Sequence, residues 1–186
     1  GEGGAFRYPG TGPQRATRAA DHIAADGDDY YVLYLPHAAQ FEMHQDGRDM
    51  RIGPGMYAFV STSRPFDGFE EPLHNRHAFS STHLSIPAAR LRERVPFIDD
   101  LCNVAQPLLP GSTRLMATVV GAIFEDGPSL SAHAAIGFGD SLIDLVAEAA
   151  EESLASEEPV ALMTGSATFR RATEFIEANL TDPMLN

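Results

Sequence analysis

The 186 residues contain no lysine, no tryptophan and a single cysteine, Cys102. One thiol leaves neither an internal disulfide nor a CxxC pair for zinc. With lysine absent, all 13 basic side chains are arginines, set against 26 Asp and Glu for a formal charge of −13. Phosphate contacts need clustered positive charge, so this balance excludes these residues as a stand-alone nucleic-acid binder. It equally disfavours a polybasic membrane anchor. No run approaches the roughly 18 apolar residues of a spanning helix, and no charged-then-apolar signal segment opens the chain. The expectation is a soluble, cytoplasmic protein without membrane contact. A chain of this size buries about 70% of the surface its unfolded form exposes, enough to fold without a disulfide or metal.

What is present changes character along the chain. Gly1 to Gln14 holds five Gly and two Pro, the composition of a flexible arm, expected over residues 1–16. From about Thr17 the pattern is that of short strands and tight turns. Tyr30 to Leu35 is a run of β-formers ended by Pro36, and Phe41 and Met43 alternate with Glu42 and His44. Asp46-Gly47 is a hairpin signal because both positions tolerate positive φ. Arg48–Ile52, Met56–Val60 and Arg76–Ile86 complete the series. Such spacing indicates a sandwich or barrel, expected over residues 17–95. Beyond Pro87 the period becomes helical. A short helix after Pro87 and a proline-spotted loop precede a helix from Ser112, read as its cap, that ends at Gly127-Pro128. The longest helix is predicted from about Ser131 to Leu154, and a last one from about Thr168 to Leu180. Strands followed by helices make the fold class α+β with segregated layers.

In the long helix Ala135, Phe138, Leu142, Leu145 and Ala149 are spaced 3, 4, 3, 4, a two-repeat heptad seam that Val146 widens. Such a seam serves either an isologous two-fold contact or packing within one chain. The strand region holds most of the aromatics. A small barrel has room for one ligand among apolar walls and a few polar groups. Tyr31, Tyr57, Ser81 and His83 are candidates for the polar part, and Leu33, Phe41, Met43, Phe59 and Phe79 for the walls. Seven histidines also raise a barrel metalloenzyme using His37, His77 and His83, although no HxH pair occurs. Cys102 has the setting of a buried structural thiol. No catalytic constellation stands out and no cofactor is implied.

The segments His44-Gln45-Asp46-Gly47-Arg48, Arg51-Ile52-Gly53-Pro54-Gly55 and Ser61-Thr62-Ser63-Arg64-Pro65-Phe66, in this order, resemble the AraC-type transcription regulators. So does the strand-to-helix junction Ser85-Ile86-Pro87-Ala88-Ala89-Arg90-Leu91. Met56 and Ser61 stand where that family usually carries an acid. The resemblance implies a cupin-like antiparallel β-barrel of jelly-roll type that binds a small-molecule effector. Residues 96–158 would then be a helical dimerisation region forming a homodimer. Ala172 to Leu185, with its Asp182-Pro183 turn, resembles the opening of the family's DNA-binding domain, so residues 159–186 are expected to be a linker and that domain's first helix. DNA contact would come from helix-turn-helix motifs expected beyond Asn186 and not from these residues.

Overall fold

Tyr30 to Pro36 carries no polar alternation, so a strand built from it needs cover on both faces. The structure, a computed structural model that describes residues 4–10, 12–27, 29–73 and 79–155, supplies that cover. Of residues 4–10, 26, 79 and 132 it describes the backbone alone. The strands are β1 Gly4–Gly10, β2 Gln14–Arg18, β3 Tyr30–Pro36, β4 Ala39–Gln45, β5 Arg48–Ile52, β6 Met56–Ser61, β7 Phe66–Pro72, β8 Phe79–Pro87 and β9 Gln106–Pro107. The helices are α1 Ala20–Asp26, α2 Ala88–Arg94, α3 Ile98–Leu101, α4 Ser112–Asp126 and α5 Ala132–Ala155, with a 3-10 turn at Gly127–Ser129.

Two antiparallel sheets result, ordered β1-β8-β3-β6-β9 and β2-β7-β4-β5. The fold class is the expected α+β: a cupin-like pair of sheets with a helical layer on one side. The strands remain in two ladders rather than one closed ring. On β3 the residues alternate between two cores. Tyr31, Leu33 and Leu35 join Tyr57, Phe59, Leu84 and Ile86 against Leu91, Val95, Ile98, Met116, Val120, Val146 and Ala149 of the helices. Tyr34 points the other way, and joins Ala58 and Val60 against Phe41, Met43, Met50 and Ile52 of the second sheet.

The motifs that carry the family resemblance build one end of the sandwich. Asp46 (φ 54°) and Gly47 (φ 73°) both adopt the left-handed region that a two-residue hairpin demands. The buried Gln45 amide clamps sheet to sheet: Nε2 donates to the Ser61 carbonyl at 2.8 Å, and Oε1 accepts from the Ser61 N–H at 3.1 Å. Arg64 pairs with Asp46 at 2.7 Å and with Asp99 at 3.1 Å. The Tyr31 hydroxyl donates to Asp99 at 2.7 Å, beneath the Arg92 guanidinium, which lies 5.0 Å from the ring centre.

Several elements depart from the sequence reading. The stretch expected as a flexible arm, 1–16, instead contributes β1 and part of β2, which pair with β8 and β7 over seven and five residues. Strand edges offered by another part of the chain overrode its Gly- and Pro-rich composition. β7, α1, α3 and β9 likewise have no counterpart in the sequence pattern. Ser112 does not cap α4 with its own side chain. The Glu152 carboxylate of α5 accepts from the Ser112 N–H at 2.9 Å and from its hydroxyl, while Gly111 (φ 136°) takes the cap position. The predicted helix at 168–180, and all of residues 159–186, lie outside the described residues.

Candidate functional site

The space between the sheets contains polar groups that a purely structural core would avoid. β7 presents Phe66, Gly68 and Glu70 to the interior, because they pair with Gln45, Met43 and Phe41, the inward residues of β4. Glu70 is 6% exposed, and among the described residues its Oε1 has no hydrogen-bond partner. Burial pushes its carboxyl up, against a hydrogen bond from the Ser81 hydroxyl on the opposite sheet. Ser81, itself 1% exposed, lies 2.9 Å from His83 Nε2. Burial lowers His83 to about 4, which leaves its ring neutral near pH 7. The His83 ring packs at 4.2 Å on Tyr34, which stacks at 4.3 Å on Phe41, the register partner of Glu70. Glu70, Ser81, His83, Tyr34 and Phe41 thus form a closed circuit of neighbours that links both sheets.

This circuit has the materials of a binding site and not of a nucleophile–base pair. A base near 4 removes a hydroxyl proton poorly at neutral pH, and the carboxyl reaches the hydroxyl rather than orienting the imidazole. The structure does not bring together His37 and His83, two of the three histidines that the metalloenzyme alternative needs. His37 Nε2 lies 2.8 Å from Thr82, which shares the helix-facing side of the sheet with Leu35, whereas His83 faces the second sheet. Strand alternation sends the two imidazoles apart. His77 lies outside the described residues, and among those described no three His, Cys, Asp or Glu cluster to hold a metal.

The nine expected ligand-site residues do not share one cavity. Phe41, Met43, Ser81 and His83 face the second-sheet interior. Tyr31, Leu33, Tyr57 and Phe59 lie on the opposite side of their sheet, sealed under the helices. Odd and even positions of a strand cannot line the same space. The Tyr57 hydroxyl, pushed up to about 12 by burial, lies 2.5 Å from the Ser153 hydroxyl of α5. Phe79 opens β8, and its side chain is not among those described. Tyr34 and Glu70 were missed. In the Tyr30–Pro36 run every residue is apolar, so no alternation reveals a face. The signal for Glu70 was its two-residue step from Phe66 and Gly68, an acid at inward parity.

The heptad seam divides in a similar way. Val146 and Ala149 are fully buried and Leu142 is 7% exposed within the core of the same chain, while Leu145 is half-buried. Ala135 and Phe138 are exposed, Phe138 by 50%. Arg90 and Arg94 of α2 hold α5 through Asp140 and Asp144. Cys102 is buried as expected, donates weakly to the Ile98 carbonyl and is pushed up to about 12 by burial. A separate groove of about 510 Å³ runs over the outer face of the second sheet. Its charges are occupied with each other: Arg15 with Asp67, Arg51 with Glu42 at 3.1 Å and His44 with Asp49 at 2.7 Å.

Residues 4–156 match the family described as AraC-binding-like domain. The chain is 26% identical over 181 residues to an uncharacterized protein in the nit 5′ region of Bacillus sp. (strain OxB-1), covering 92% of this chain and 65% of that protein. Its structure is similar to the crystal structure of the AraC-like transcriptional activator CuxR, with a TM-score of 0.66 and 17% identity. That match covers 98% of this chain and 63% of the other. The chain therefore spans a little under two thirds of the length of each of these relatives. Among the described residues no helix is long and apolar enough to cross a membrane.

Proposed function

The chain belongs to the AraC-binding-like domain family, and from this premise we propose that it is the effector-sensing and dimerisation part of a cytoplasmic transcription regulator. The observation that carries the sensing role is the buried Glu70 oxygen without a partner, beside Ser81 and His83 between the two sheets. An unsatisfied buried acceptor costs about 1–3 kcal/mol, which a bound donor would recover. The effector site is then Glu70, Ser81, His83, Tyr34 and Phe41, with Met43 behind them, rather than the residues under the helices. Its stacked rings and buried acid favour binding over reaction.

Dimerisation would use what the helices leave uncovered: Leu115 (55% exposed), Ile136 (70%), Phe138 (50%) and Leu154 (46%). An isologous contact between two such surfaces is the commonest closed arrangement. DNA contact would come from protein outside these residues, since a charge of −13 repels phosphate. Binding between the sheets would act by differential affinity for two dispositions of the dimer.

A thermal-shift screen of small metabolites against the purified chain tests the sensing role. A true effector at 100 times its Kd stabilises by about 2.7 kcal/mol and raises Tm visibly. If no compound raises Tm, the sensing reading falls.

A further inference from the structure

We propose that the effector carries a cationic nitrogen on an apolar body, and that Glu70 receives it between Tyr34 and Phe41. This rests on the sensing role proposed above and names the chemistry of its ligand. A buried carboxyl is stabilised by a paired cation or by several donors. The described residues supply Glu70 with neither: among them Oε1 has no partner and no arginine forms an ion pair with it, and the chain has no lysine. The described arginine ion pairs lie instead on the outer face of the second sheet, at the hairpin end and along α2.

The surroundings fit an organic cation better than a bare one. Tyr34 and Phe41 offer aromatic faces beside the acid, and such faces attract a desolvated ammonium. Ser81 adds an uncharged oxygen able to accept a second N–H. A carboxylate or phosphate ligand would instead meet Glu70 as a like charge at low dielectric. The rings of Tyr34 and Phe41 are stacked at 4.3 Å, so an arriving ligand must part them. Occupancy is thereby coupled to the packing of one sheet on the other.

The test uses three compounds with the same apolar ring and different head groups: cyclohexylmethanamine, cyclohexylmethanol and cyclohexanecarboxylate. They lead a metabolite panel sorted into cations, neutrals and anions. Cations should raise Tm most, and Glu70→Gln should weaken calorimetric amine binding about tenfold or more while circular dichroism stays unchanged. Stabilisers found only among neutrals or anions, or an unchanged Kd in Glu70→Gln, would overturn the cationic assignment and leave sensing intact. No stabiliser in any class overturns sensing and the assignment together. Should Glu70→Gln not fold, the wild-type pH dependence decides. Amine affinity should fall as pH is lowered and Glu70, whose carboxyl burial pushes up, takes up a proton, before the neighbouring His83 charges near pH 4, and affinity that stays constant down to that point overturns the proposal.

Discussion

Two interiors lie on opposite faces of the same five-stranded sheet, and they treat polar groups differently. Under the helices the buried hydroxyls find partners: Tyr31 on Asp99, Tyr57 on Ser153 and Thr82 on His37. Between the sheets an acid, a hydroxyl and an imidazole are buried together, and one carboxyl oxygen is left without a partner. The first interior pairs these hydroxyls and holds the fold. The second keeps spare hydrogen-bonding capacity, which costs stability and makes sense where something binds.

The sharpest way to break this contrast is at the helices. Leu142→Asp puts a charge into the helix-side core and should cost at least about 4 kcal/mol in denaturant unfolding, or abolish folding. Phe138→Asp, four residues earlier and half exposed, should leave the fold intact and lower the mass in light scattering from dimer to monomer. A folded Leu142→Asp would mean that α5 does not seal this core. An unchanged mass for Phe138→Asp would remove that residue from the interface.

The next effect is electrostatic and belongs to the other interior. The unfolded chain binds a proton at a histidine near pH 6.5, whereas folded His83 resists it until about pH 4. Stability present above pH 6.5 is therefore lost as pH falls through that window, by up to about 3 kcal/mol. Glu70 acts in the opposite sense, because its raised carboxyl takes up a proton more readily in the folded state. Comparing wild type with His83→Gln across pH 7 to 4 isolates the histidine. Parallel stability curves would show that His83 is not held neutral by burial. The smallest effect is at Tyr57→Phe, which removes one hydroxyl under the helices. It should lower stability by about 1 kcal/mol and leave any effector-induced Tm shift unchanged. A lost shift would mean that the helix-side interior also takes part in binding.

Much of the fold was legible because its signals are local. Asp46-Gly47 marked its hairpin, the Arg48–Ile52 strand was placed to the residue, and the long helix was placed to within a residue at each end. β1, β2 and β7 were not legible. Gly4–Gly10 and Gln14–Arg18 are strands only because β8 and β7 offer them edges, and β7 carries Gly68 and two acids that weaken its own propensity. The site was half legible. Phe41, Met43, Ser81 and His83 were named, but so were four residues that the pleat turns to the opposite face.

Composition and local motifs are enough to mark the class of molecule: an acidic α+β protein without lysine, with the Gln45–Arg48 hairpin and the Ser61–Pro65 turn of its family. Those features depend on turn geometry and composition, which neighbouring residues set. Contacts between distant residues are what bring Glu70 to Ser81 and His83, give Tyr57 to the helices and bury Leu142 in its own chain. Strand parity fixes which side chains share a face. Which of the two faces holds the acid and which lies under the helices is settled by packing between residues far apart in the chain.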